Sequence, residues 1–232
     1  MSSDSPSVNL THHFLIAMPG LTDETFSRSV VYMCEHSERG ALGLVINKPS
    51  EMSMRSLFDK VDLPLGRADL SESPVFQGGP VHTERGFVLH EAMHAENAPP
   101  KETVYASTMT IPGGLEMTTS RDVLEALSTG AGPRRVLVSL GYAAWGQGQL
   151  ESEIAENSWL TVAAEQLAEA AHQQFAFPKN VAPVLQRLVQ GLEGRDQVAV
   201  GERIPGEVRH LGNAEFPRDA IERLPGQIKR AI

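Results

Sequence analysis

The stretch from Ser29 to Lys48 constrains this chain more than any other. Two runs of β-branched and apolar residues, Ser29–His36 and Ala41–Lys48, are separated by the polar residues Ser37–Gly40. A short polar connector ending in glycine, set between two such runs, predicts a β-hairpin. Pro49 follows, and a proline has no N–H to give a ladder, so the second strand is expected to close there. A hairpin without a helix inside it is foreign to a strictly parallel βαβ order. The rest of the chain is therefore read for more strands of the same kind.

They are present. His12–Met18 is a short apolar run stopped by Pro19-Gly20. Ser73–Val81 and Arg85–Ala92 read as another strand pair around the Gly78-Gly79-Pro80 turn. Thr103–Ile111 alternates polar and apolar residues, as a half-buried strand does. Arg134–Tyr142 reads as a buried strand that ends at Gly141, and Ser158–Val162 as a last short one. Helices are expected at Ser53–Val61 with Ser53 as cap, at Ser120–Leu127 with Gly130 beyond its end, and at Gly148–Asn157. Strands outnumber helices and several are adjacent in sequence. This predicts an α+β fold, a compact mixed or antiparallel multi-strand core with flanking helices.

The sequence divides into three parts. Residues 1–8 are polar and rich in Ser, and are expected to be a disordered lead-in. Residues 9–162 form the predicted α+β domain. Residues 163–232 change texture: 163–177 and 180–192 have helical patterning, then Gly and Pro recur and apolar residues thin out, apart from a short helix expected at 218–223. This last part is expected to be partly helical and then loosely structured.

A formal net charge of −9 disfavours nucleic-acid or anionic-membrane binding through a general basic surface. The single cysteine can make no internal disulfide, and no run approaches the roughly 20 apolar residues of a membrane span. With no signal-peptide pattern at Met1–Leu10, a cytoplasmic protein is expected.

Cys34 and His36 stand two apart, which on a regular strand puts both on one face. Two ligands fall short of a zinc site, and no Cys/His cluster elsewhere completes one, so no metal and no cofactor are expected. The glycines of Gly40–Lys48 precede a β-branched run rather than a helix, and Lys48 is followed by Pro49, unlike a phosphate loop. Gly141–Ile154 offers a strand, a Gly-rich turn holding Tyr142 and Trp145, and a helix start. That order can grip an anionic group or simply form a turn, with Trp145 plugging the core. Between Phe76 and His90 lie His82, Glu84, Arg85 and His90, residue types able to do acid–base work if a cleft brings them together. No Gly-x-Ser-x-Gly elbow occurs, and Ser139 falls within a strand.

Taken together, Phe14–Pro49, Val75–Val81, Arg85–His90 and Leu140–Leu160 resemble the AlgH family of bacterial proteins, also called YqgE, over about residues 9–162. The resemblance implies a small cytosolic α+β protein. It also carries the role proposed for that family in transcriptional control of alginate production, with no settled biochemical activity. Carried over residue by residue, the family pattern touches Arg28, Glu35, His36, Asn47, Lys48, Arg85, His90, Tyr142, Trp145 and Glu151, which become the candidate ligand- or partner-binding residues. The chain departs from the pattern at Ala144, where the family has glycine, and again after Val162.

Three functional readings follow. The first is a non-catalytic binding or regulatory protein working through an unknown protein or small-molecule partner, with no direct nucleic-acid binding and no membrane. The second is a self-associating scaffold, a homo-oligomer built on exposed strand edges. The third is a hydrolase or transferase in which Glu35, His36, Arg85, His90 and Glu151 share one pocket.

Overall fold

The computed structural model describes residues 9–93 and 103–165. The lead-in, the two helices expected over 163–177 and 180–192 and the one at 218–223 lie outside the described residues, apart from the first positions of that segment. Within them the strands are β1 (His13–Ala17), β2 (Val30–Ser37), β3 (Gly40–Val45), β4 (Pro49–Ser53), β5 (Pro74–Gln77), β6 (Val81–Glu91), β7 (Thr108–Ile111), β8 (Leu115–Thr118), β9 (Val136–Gly146) and β10 (Trp159–Ala163). The helices are α1 (Met54–Lys60), α2 (Asp122–Thr129) and α3 (Gln149–Ala155).

All ten strands join one sheet in the order β10-β1-β2-β3-β9-β6-β8-β7, with β5 also on β9 and β4 on β5. Every pairing is antiparallel except β5 with β9. The fold is α+β, and the hairpin of β2 and β3 is where the sequence puts it. Its turn is tighter than expected, since Ser37 already faces Gly40.

The sheet is curled into a half-barrel. One apolar cluster takes Phe14 and Ile16 from β1, Tyr32 from β2, Leu44 from β3, Leu137 from β9, Leu89 from β6 and Ile111 from β7, so strands from both ends of the path share one interior. The β7–β8 turn reaches the chain entering β1: a Cβ on Gly113 would stand 2.4 Å from His12 Nε2. The outer face is covered in two patches. Met54 and Phe58 of α1 and Val123 and Leu127 of α2 pack with Val88, Val136 and Val138. Leu150 of α3 packs with Val31, Met33, Ala41, Ala143 and Trp145. Both faces are thus apolar, which is why β2 and β3 read as near-continuous hydrophobic runs rather than alternating ones.

Several expectations need correction. Pro49 does not close β3; β3 ends at Val45 and Pro49 opens β4. β5 and β6 do not pair with each other, because both lie along β9, on opposite edges. The strand expected at 103–111 covers only Thr108–Ile111, and Leu115–Thr118 adds a further strand, β8. β9 does not stop at Gly141. It runs through Tyr142 and Trp145 to Gly146, so these aromatics sit on a strand and not in a turn.

Two departures from strand regularity decide which way side chains point. In β2 the register slips between Met33 and Glu35. Cys34 therefore packs in the interior cluster with Tyr32, while His36 lies opposite Ala41, a residue of the outer patch. The expected shared face of Cys34 and His36 is abolished by this bulge. In β9, Gly141 has φ +73° and does the same: Leu140 packs outward, yet Tyr142 packs inward.

Candidate functional site

A groove of about 550 Å³ opens where β3, β5, β6 and β9 meet. Val45, Phe76 and Leu140 form its apolar floor, and Lys48, Thr25, Gln77 and Thr83 its polar walls, with Glu24 also lining it. The size falls in the range of small-molecule sites, as does the mixture of apolar floor and few polar groups.

Glycines bring its walls together. Gly79 has φ +151°, and a Cβ there would lie 2.2 Å from the Tyr142 carbonyl carbon. A Cβ on Gly141 would lie 2.4 Å from the Gly79 carbonyl oxygen. The Gly78-Gly79-Pro80 turn can lie flat against β9 only without side chains at these points. Beyond Pro80, β6 leaves the ladder: Val81 faces Tyr142 and Gly86 faces Leu140, so residues 82–85 bulge out beside the groove. His82 stacks on Tyr142 at 5.9 Å and touches Glu84 at 3.3 Å.

Lys48 donates to the Thr25 carbonyl. Burial pulls its ammonium below the ordinary lysine value, with nearby Asp23 acting the other way. Asp23 Oδ1 is occupied by the N–H groups of Thr25 and Phe26, each at 2.9 Å, and this turn fixes the wall from which Thr25 meets Lys48.

The other expected residues serve different duties. His36 Nδ1 accepts the Leu10 N–H at 3.0 Å, so its proton sits on Nε2 and is donated to Glu151 at 3.0 Å. With both ring nitrogens committed, His36 ties the segment before β1 to α3. Asn47 Oδ1 accepts Val30 N–H and its Nδ2 donates to Arg28 O, both at 2.8 Å, bracketing the start of β2. Arg28 itself is exposed with φ +60°, Arg85 is exposed on the bulge, and Glu35 is half-buried opposite Leu42. Trp145 donates its indole N–H to Glu153 Oε2 at 2.9 Å, and Trp159 donates to the same oxygen at 2.7 Å. Phe26 packs against both rings. At the start of α3, Gln149 Oε1 takes the Gly146 N–H at 3.0 Å.

His90 is fully buried, with Nε2 on Thr118 Oγ1 at 2.9 Å and Nδ1 donating to Glu91 O at 2.8 Å. Burial holds its imidazole below the ordinary histidine value, against the pull of the Glu91 carbonyl, Glu116 and the Glu91 carboxylate. Glu116 is also buried, and its Oε2 has no hydrogen-bond partner among the described residues.

The shared pocket of the third functional reading does not form. His36 lies across β3 from Trp145, whereas His90 faces Val136 at the other end of β9. Nine residues of strand separate these points, roughly 30 Å. Neither histidine nor Arg85 lines the groove. Lys48 does, Tyr142 abuts it, and His36 meets Glu151 elsewhere. Thr25, Gln77 and Thr83 carry no sequence signal of their own. The Gly-Gly-Pro turn is the available signal for the groove. Among the described residues, no group of three or more His, Cys, Asp or Glu is arranged to hold a metal, and no helix is long and apolar enough to cross a membrane.

Comparison with known proteins matches residues 14–181 to the AlgH-like family model. A UPF0301 protein of Polaromonas is 76% identical over 165 residues, covering 71% of this chain and 83% of that protein. The solution structure of the AlgH protein from Pseudomonas aeruginosa superposes with a TM-score of 0.58 at 39% identity, covering 88% of this chain and 100% of that one. A crystal structure from Corynebacterium diphtheriae, 21% identical with a TM-score of 0.51 over 71% of this chain and 79% of that one, shares the fold.

Proposed function

This chain belongs to the AlgH-like family, and from that premise we propose that it is a non-catalytic binding protein, acting in regulation through a small ligand or partner taken up in the groove beside Lys48. One observation carries the reading. Side chains suited to catalysis are spent on holding the fold together, as in His36 and His90, while the groove is lined from three of the four blocks that identify the family. The acidic balance of the chain favours an effect on transcription through such a partner rather than by direct contact with DNA. A cytoplasmic location belongs to the same proposal.

The test is a melting screen of the full chain against metabolite classes. A true ligand at 100 times its dissociation constant raises stability by about 2.7 kcal/mol, and Thr83→Trp, which fills the groove, abolishes the shift. Turnover of model esters or phosphoesters that disappears on replacing His36 or His90 would overturn the reading. So would retardation of DNA by the chain alone at physiological salt.

A second reading, self-association, is favoured by the sheet ends: among the described residues β7 and β10 each pair along one edge. Sedimentation over a range of concentrations tests it, and a strict monomer at high concentration removes it.

A further inference from the structure

We propose that the groove takes a small organic monocarboxylate, its anionic end on Lys48 and its hydrocarbon body along Val45, Phe76 and Leu140. The inference rests on the binding reading above and adds the ligand class.

Three observations lead there. First, Lys48 Nζ has three N–H donors, and the Thr25 carbonyl takes one. Among the described residues no carboxylate comes within ion-pair distance of it, and Asp23 Oδ1 already serves two backbone N–H groups. A partly desolvated ammonium whose nearest acceptor is a neutral carbonyl gains most from an incoming anion. Second, Thr83 and Gln77 stand on the wall exposed, with side chains that make no hydrogen bond among the described residues, ready to meet the second carboxylate oxygen. Third, the floor is apolar, and an ion without a hydrocarbon body would leave it wet.

Glu24 on the same wall sets the charge. One lysine against one glutamate leaves the groove near neutral, so a monoanion finds its cation in Lys48 while the second charge of a dianion such as phosphate finds none among the lining residues. A phosphate site also draws on arginine forks or converging backbone N–H groups, and Lys48 is the cation among the lining residues.

The experiment titrates the full-length protein with octanoate, octanol, octylamine and inorganic phosphate, reading backbone amide resonances by NMR and heat by calorimetry. Octanoate is expected to move Gly79 and Thr83 and to bind at least tenfold more tightly than octanol, octylamine or phosphate. Lys48→Met is expected to weaken octanoate at least tenfold, and Lys48→Arg to restore most of it, a pattern that a misfolded variant does not give. Equal binding of octanol or octylamine in the groove overturns the ligand class and leaves the binding reading standing, as does octanoate binding unchanged in Lys48→Met. If none of the four probes moves Gly79 or Thr83, the ligand class is likewise overturned. The binding reading falls with it only when the wider metabolite screen is also blank.

Discussion

Gly79 and Gly141 lie back to back beside the groove, so close that a Cβ on Gly141 would meet the Gly79 carbonyl oxygen at 2.4 Å. Gly141 also has φ +73°, a conformation that L side chains adopt at a cost. Gly141→Ala therefore combines backbone strain with a clash against backbone that cannot turn aside. The expected loss is about 2 kcal/mol or more, from a strain of the order of 1–3 kcal/mol plus the clash. Urea unfolding midpoints measure it. Gly148→Ala is the control, since it shares the positive φ but has nothing within 4 Å of the added methyl, and it should cost less.

Glu153 is the hinge pin of α3. Its Oε2 receives the indole N–H groups of Trp145 and Trp159, and its Oε1 receives Gln149. Glu153→Ala leaves two buried indoles without an acceptor, each worth about 1–3 kcal/mol when unsatisfied. A total loss of about 2–4 kcal/mol is expected, with a change in tryptophan fluorescence. Unchanged stability and emission would show that water replaces the carboxylate at no cost.

The hairpin, the α+β class, α1 with its Ser53 cap and α2 before Gly130 were all legible, because each rests on residues near in sequence. Ser53 Oγ does accept the Ser56 N–H, at 3.2 Å. What was not legible depends on register. The bulge at Cys34 and the kink at Gly141 each reverse the alternation, so any face assigned by counting in twos goes wrong after them. A proline closes a ladder only at a position where an N–H is required, and Pro49 sits where β4 begins. The partnership of β5 with β9 joins residues some sixty apart, and no local pattern encodes that. The site was half visible: Lys48 and the Gly-Gly-Pro turn stood out, whereas Thr25, Gln77 and Thr83 are ordinary until β9 draws them together.

Cys34 has 2% of its surface exposed and packs within the interior cluster. Burial pushes its thiol well above the usual range, which keeps it from forming the reactive thiolate. The native protein is expected to react with a disulfide reagent no faster than it unfolds, and in denaturant at the rate of an ordinary thiol. Fast native labelling would mean that the ladder around β2 opens on its own.

The dependence of stability on pH should trace to two buried histidines. His12 and His90 are both held below the ordinary value of 6.5, chiefly by burial; Glu165 opposes the effect at His12 and His13 adds to it. In the unfolded chain each takes up a proton as pH falls through 6.5, while in the folded chain each stays neutral until lower pH. The unfolded state thus binds more protons in that interval, and stability falls as pH falls. Above about pH 7.5 neither form carries the proton, and these groups leave stability flat. Each contributes a slope of at most about 1.4 kcal/mol per pH unit. Carboxylates titrate mainly below pH 5 and are separable on that ground. Urea midpoints from pH 7.5 to 5.5 should therefore fall, and His90→Asn, though less stable at neutral pH through loss of the Thr118 contact, should fall less steeply. If the variant keeps the full slope, His90 is not the group that takes up the proton, and the dependence belongs to His12, whose Nδ1 meets the Tyr32 hydroxyl at 2.6 Å.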